Sequence, residues 1–404
     1  MEASTPPEEK FKLGMLLSDT RYRGMSLQVI TFILFVAVFF WLVDNTLRNL
    51  ALLGKDVSFN FLTLRAGYDI NQRLIPYNSD STHGRAAIVG ILNTLLIALV
   101  GCIIATILGL FVGILRLSKN WIVAKLMSIY IEGFRNVPIL LWIVMVFALL
   151  IEFTPAPKAF KGDDPQAKMM FFESVAVTNR GTYFPAPVFS EGAYWIVFCF
   201  LLSLAVIIYI KRYTNKKKKE TGKSLPTFWP SIIILIFPTV VLFLVLGKPI
   251  SLEYPYLKGF NFKDGIHLRN SFMALTLALA FYTSAFIAEI VRSGIMAVSK
   301  GQTEAAASLG LRPNKIMSLI ILPQALRIIV PPMISQYLNL TKNSSLAIAV
   351  GYMDVRSTLG GITLNQTGRE LESMLLLMGF YLSVSLLISS VINYFNRSFQ
   401  IVVR

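Results

Sequence analysis

"EAAASLGLRPNKIMSLIILP", Glu304 to Pro323, reads as a short helix, a break and a second helix that runs into a proline. Thr303 is a candidate N-cap, and Glu304 with the alanines after it makes a strong helical turn. Gly310 can supply the left-handed residue that ends the turn, and Pro313 suits the first position of a new helix. Lys315 through Ile321 continue that helix on an apolar face, and Pro323 interrupts it. Long apolar runs lie on both sides. The stretch therefore predicts a stiff knob held on one face of a membrane, too short to be an enzyme and well shaped to be gripped.

The composition supports that setting. Of 404 residues, 55% are hydrophobic and 15% charged, too apolar for an ordinary soluble domain. The apolar residues gather into eight candidate spans near bilayer length: 26–44, 87–115, 123–152, 193–211, 229–247, 270–292, 324–350 and 372–394. The fold class is an all-α, polytopic membrane protein. The first run lacks a small-residue cleavage pattern, so it reads as a retained span.

The net charge of +16 follows the topology and does not point to nucleic acid. Lys10, Lys12, Arg21 and Arg23 precede the first span and place the N-terminus in the cytoplasm. Alternation then puts Arg116, Lys119, the run "KRYTNKKKKE" (211–220), the Arg292–Arg327 segment, Arg397 and Arg404 on the same side. The opposite loops balance cations with acids, as in "KAFKGDDPQ" (158–166). The lysine run reads first as a topology anchor and second as a contact for anionic lipid. The external segments 45–86 and 153–192 contain aromatic and apolar residues, which predicts short elements packed on the outer surface.

Chemistry of other kinds finds no residues. Cys102 and Cys199 are the only cysteines, both inside apolar runs, and His83 and His267 stand in polar loops without further ligands. "TGKS" (221–224) lacks the first glycine and the preceding strand of a nucleotide-binding loop. Serine–histidine or cysteine–histidine pairs are missing from the spans, so energy must come from another chain.

The full pattern Glu304-Ala305-Ala306, Gly310, Ile320, Leu322-Pro323 resembles the EAA loop of permease subunits of bacterial ABC importers. "GILNTLLIALVG" (90–101), "YIEGFRNVPILL" (130–141), "FIAEIVRSGI" (286–295) and "LPQALRIIVPPMISQYLNLTKNSSLA" (322–347) narrow the resemblance. Together they are similar to the polar and general L-amino-acid permeases. The likeness covers about 87–152 and 270–396, a five-span core. It implies a cytoplasmic tail (1–25), an extra first span and external loop (26–86), an insertion with two extra spans (153–269), a coupling loop (293–323) and a C-terminal tail (397–404). In such permeases the loop is a coupling helix docked in a groove of a cytoplasmic ATPase. The implied partners are two ATPase copies, a second paralogous permease, a periplasmic amino-acid-binding protein, membrane lipid and an L-amino-acid substrate. The resemblance implies no cofactor in this chain, with ATP and Mg used by the ATPase. The implied location is the bacterial inner membrane, with both termini cytoplasmic.

Polar groups inside hydrocarbon are costly, so their default reading is functional or helix-joining. Span seven holds Ser335, Gln336, Asn339, Lys342 and Ser344. Ser335, Asn339 and Lys342 recur near helical spacing, with Gln336 beside them. Pro331-Pro332 is expected to weaken the helix just before them. This face either lines a substrate path or hydrogen-bonds between helices. Related permeases often carry Asn-Glu where this chain has Ser335-Gln336, so a charge-reading site is not implied. Asn136, beside Pro138 in span three, is a further pathway candidate. Glu132–Arg135 and Glu289–Arg292 are expected structural pairs one turn apart, and Asn93 can cap or bridge helices. A carrier driven by an ion gradient is the rival class, and the spans lack the paired carboxylates of a proton or sodium relay.

Overall fold

The computed structural model describes residues 20–52, 54, 56–162, 164–221 and 226–399. Lys10, Lys12, Arg404 and most of "TGKS" lie outside the described residues, as do most of the two tails. The helices are α1 Thr20–Leu52, α2 His83–Arg116, α3 Trp121–Asn136, α4 Ile139–Glu152, α5 Ala193–Thr221, α6 Phe228–Val245 and α7 Asn270–Met296. They continue as α8 Lys300–Ser308, α9 Pro313–Ile316, α10 Leu322–Asn343, α11 Val355–Ser357, α12 Leu364–Thr367 and α13 Glu370–Phe399. Among the described residues seven helices are long and apolar enough to cross a membrane, or eight if α3 and α4 form one span.

Helix α7 is the hub. Ile97 of α2, Ile143 of α4, Leu275 and Leu279 of α7 and Ile329 and Leu340 of α10 meet in one buried cluster around it. Lipid tails are as apolar as these side chains, so burial alone does not hold spans together; close packing and interhelical hydrogen bonds must. The α2–α7 contact is built for that. A Cβ on Gly109 would lie 2.6 Å from Ile287 Cβ, and one on Gly113 would lie 2.8 Å from the Ala288 carbonyl oxygen. Only glycine allows the two backbones to come so near.

The expected third span is two helices. Val137 is extended (φ −106°, ψ 133°), as the residue before a proline prefers, and α3 meets α4 at a bend of 106°. The elbow is filled by aromatic rings: Phe134 stacks on Trp142 with centroids 4.3 Å apart, and Tyr130 Oη lies 2.7 Å from Ser284 Oγ of α7. Among the described residues Glu132 forms no ion pair, which corrects the expected Glu132–Arg135 pairing. Arg135 sits instead over the Phe286 ring, 5.2 Å from its centroid, where the π-face attracts the guanidinium. Glu289–Arg292 does form, at 2.6 Å, and Arg116 from the end of α2 joins the same carboxylate.

Among the described residues seven short strands accompany the helices: β1 Ala176–Thr178, β2 Gly181–Phe184, β3 Ala186–Phe189, β4 Ile250–Glu253, β5 Tyr256–Lys258, β6 Asn261–Lys263 and β7 Ile266–Leu268. They pair antiparallel as β1-β2-β7, β3-β4 and β5-β6. The pairs β2–β7 and β3–β4 tie together the segments before α5 and after α6, and Tyr183 stacks on its register partner His267 at 4.2 Å. The segment after α1 packs as well, with Ile70 and Tyr77 buried against Val89 of α2.

Candidate coupling hairpin and transport face

The knob forms with one correction. Helix α8 starts at Lys300 after an N-cap at Ser299, one turn earlier than a cap at Thr303, so Glu304, Ala305 and Ala306 occupy its interior. Its end is a Schellman closure. Gly310 takes φ +76°, its amide donates to the Ala307 carbonyl at 2.9 Å, and the Leu311 amide donates to the Ala306 carbonyl at 3.3 Å. Pro313 is the first residue of α9, where its missing N–H leaves nothing unsatisfied. A wider π-type turn, Met317–Ile321, leads into α10, and Pro323 lies at the first turn of that helix without ending it. The turn opens the helix where the proline ring would meet a carbonyl four residues back.

Ala306 is buried where α8 packs on α9 and the π-type turn, and Ile320 is half-buried, whereas Glu304, Ala305, Gly310, Leu322 and Pro323 are exposed. Leu309 and Leu319 stand 82% and 63% exposed, more apolar surface than a short polar connection would show. Helical backbone runs unbroken from Pro313 to Val350. Its 38 residues span about 57 Å against a hydrocarbon core of about 30 Å, so part of it must stand clear of the bilayer.

Helix α10 has two faces. Ala325, Ile329, Leu340 and Thr341 turn inward, and Tyr337 Oη meets Thr106 Oγ1 of α2 at 2.7 Å. Ile328, Pro332, Ser335, Asn339 and Lys342 form an exposed row on the other face, at helical spacing. Gln336 is half-buried at its edge. Ser335 Oγ donates back to the Pro331 carbonyl at 3.4 Å. Among the described residues the side chains of Gln336, Asn339 and Lys342 make no hydrogen bond or ion pair. Pro331 and Pro332 stay within the α-helix instead of breaking it, but their missing amides leave the Arg327 and Ile328 carbonyls without helical donors. These prolines and Ser335 lie about 14–20 Å along α10 from its first residue.

Two other candidates stand elsewhere. Ser344 is fully buried on the inner side and donates to the Thr341 carbonyl at 2.7 Å, so it serves the turn after α10. Asn136 ends α3, exposed at the elbow, and shares no hydrogen bond with the α10 row among the described residues. Asn93 bridges, as one of its expected roles had it: Nδ2 donates to the carbonyls of Gln72 at 2.7 Å and Met353 at 2.9 Å. Asp354, next to it, was not singled out by sequence. It is fully buried and caps α11 by accepting from the Ser357 amide at 2.8 Å, while Oδ2 has no partner. Burial pushes its carboxyl above the ordinary value. An Asp three residues before a serine looks like any exposed turn cap, so its burial was not legible locally. The described residues hold no cluster of metal-ligating side chains.

The profile of the family described as "Binding-protein-dependent transport system inner membrane component" matches residues 220–400. Along almost the whole chain, identity is 52% to the glutamate/glutamine/aspartate/asparagine transport system permease protein BztB of Rhodobacter capsulatus, covering 99% of each protein. The chain belongs to this permease family. The general L-amino acid transport system permease protein AapQ of Rhizobium johnstonii is 43% identical over 96% of this chain and 94% of its own length. Coverage of this kind spans α1 and the α5–α6 insertion as well as the hub, so both are shared with full-length permeases. The family is one of transport components, not of enzymes.

Proposed function

We propose that this chain is one of two permease subunits of an importer for L-amino acids of broad range, driven by a separate ATPase and fed by an external binding protein. The range is taken from relatives named for acidic amino acids with their amides and for L-amino acids in general. The observation that carries the reading is one continuous helical segment, Pro313–Val350, with the exposed hairpin at its base and the exposed polar row above. Glu304 to Pro323 would rest in a groove of the ATPase, two copies of which serve the permease pair. Movement of the hairpin then tilts α10 as a rod and changes what the row faces. The row of Ser335, Asn339 and Lys342, with Gln336, would lie on the path between this subunit and its paralogue. ATP and Mg are used by the ATPase, and both termini of this chain lie in the cytoplasm.

The α-amine and α-carboxylate are what all L-amino acids share, and a row with donors and acceptors can hold both away from water. Lys342 supplies a cation for the carboxylate, and the row has no acid with which to select basic side chains. The test is uptake by proteoliposomes holding the complete complex, with acidic, neutral and basic amino acids in competition. Gln336→Leu and Asn339→Leu are expected to weaken uptake of all three classes alike, with assembly and ATP hydrolysis intact. Unchanged uptake removes α10 from the pathway, and loss of one class alone shows that the row reads side chains.

A further inference from the structure

Helix α1 stands apart from the hub. None of its apolar window is buried against the rest of the chain. Where its last turn approaches the start of α13 there is a cavity of about 510 Å³, lined by Leu50 on one side and by the first turns of α13 on the other. Leu371, Met374, Leu375 and Met378 recur at helical spacing down that wall, and the last three are largely exposed. The opposite face of α13 is taken up by the body of the protein, with Ser373 and Leu377 buried, and Glu372 is buried at the edge of the cavity. The cavity is apolar along α13 and charged where that helix begins, so an occupant needs an apolar part and a polar end.

The mouth of the groove is charged in a particular way. Arg369 Nη1 donates to the Asp56 carbonyl and to Glu372 Oε1, which fixes the guanidinium at the rim. Among the described residues its Nε and Nη2 make no hydrogen bond. Asp56 and Glu370 also line the mouth, and neither carboxylate is in an ion pair among the described residues. A fixed fork of two N–H donors fits a phosphate. Two free carboxylates beside it fit a cation with N–H donors and disfavour an anionic headgroup.

We infer that this groove holds a phospholipid with a zwitterionic, primary-amine headgroup of the phosphatidylethanolamine type. Its phosphate lies on Arg369, its ammonium on Asp56 and Glu370, and one acyl chain follows Leu371, Met374, Leu375 and Met378. The apolar wall runs along α13, and the Arg369 donor and the two carboxylates sit together at its start, so one groove offers tail chemistry at one end and headgroup chemistry at the other. The lipid would bond α1 to the body in place of direct helix contact.

The test uses the purified complex in mild detergent with an equal mixture of phosphatidylethanolamine, phosphatidylcholine and phosphatidylglycerol, bound lipid being counted by native mass spectrometry. Wild type is expected to retain phosphatidylethanolamine in preference. Leu375→Trp, which fills the groove, and Glu370→Gln, which removes a negative charge, are each expected to lower its occupancy about tenfold, the size of one charge-assisted hydrogen bond or more. Arg369→Gln should do the same, and because Arg369 also ties down the Asp56 backbone, the other two variants carry the result if it fails to assemble. Leu387→Trp, exposed on another face of α13, should retain lipid as wild type does. Preference for phosphatidylglycerol, equal retention by Leu375→Trp, or complete crosslinking of Met378→Cys to another protein chain would each overturn the assignment.

Discussion

Replacement of Gly310 tests the coupling hairpin through its backbone alone. A Cβ at this position would meet nothing within 4 Å, so a new side chain has room, and any penalty arises from φ +76°. For an L-residue with a Cβ the left-handed region costs about 1–2 kcal/mol, more for a β-branched one, and least for Asn. A cost of ~1.4 kcal/mol lowers the population with the Schellman closure about tenfold relative to open alternatives. The second helix then leaves the angle set by the Gly310–Ala307 and Leu311–Ala306 bonds. The assay is substrate-stimulated ATP hydrolysis by the purified complex, together with the affinity of the ATPase for the permease pair. The expected order of coupling is Gly310, then Gly310→Asn close behind, Gly310→Ala weaker and Gly310→Val weakest. Two results would refute the reasoning. If Asn is as defective as Val, bulk at the docking surface and not backbone geometry is responsible. If assembled Gly310→Val couples normally, the left-handed turn is not needed for transmission.

Three further variants probe the body. Gly109→Ala should lower the melting temperature of the complex, because its Cβ would press on Ile287 at 2.6 Å and overpacking costs about 1–3 kcal/mol. Gly133→Ala has open space around it and should hold or raise that temperature by helix propensity, so equal effects at the two sites would exclude close α2–α7 packing as the cause. Asp354→Asn keeps the Oδ1 acceptor for Ser357 and removes a carboxyl whose folded pKa lies above its ordinary 3.8. Because the folded state holds that proton more tightly, this residue stabilises below the unfolded value and loses the contribution as pH rises through the folded one. Melting temperatures measured from acid to alkaline pH should therefore show the Asn variant gaining on wild type as pH rises, and a gap that widens the other way contradicts the burial cost.

Apolar runs in a bilayer protein are legible residue by residue, since each span must satisfy its own backbone within its own helix. That is why the expected runs 87–115, 229–247 and 270–292 recur as His83–Arg116, Phe228–Val245 and Asn270–Met296. The left-handed Gly310 and the helix start at Pro313 were equally local, because a single residue's sterics decide each. Other features depend on neighbours far along the chain. Pro138 announced a break, but its angle of 106° comes from Phe134 stacking on Trp142 and Tyr130 reaching α7. Arg135 chose Phe286 over Glu132 because α7 packs beside α3. Strands of three and four residues carry no periodic signal, and β2 finds β7 across two intervening spans. The helical repeat grouped Ser335, Asn339 and Lys342 from sequence, yet only the packing of Tyr337 and Leu340 against the hub turned that group outward and Ser344 inward. Spacing along one helix orders its side chains, and contact with other helices selects which of them face the outside.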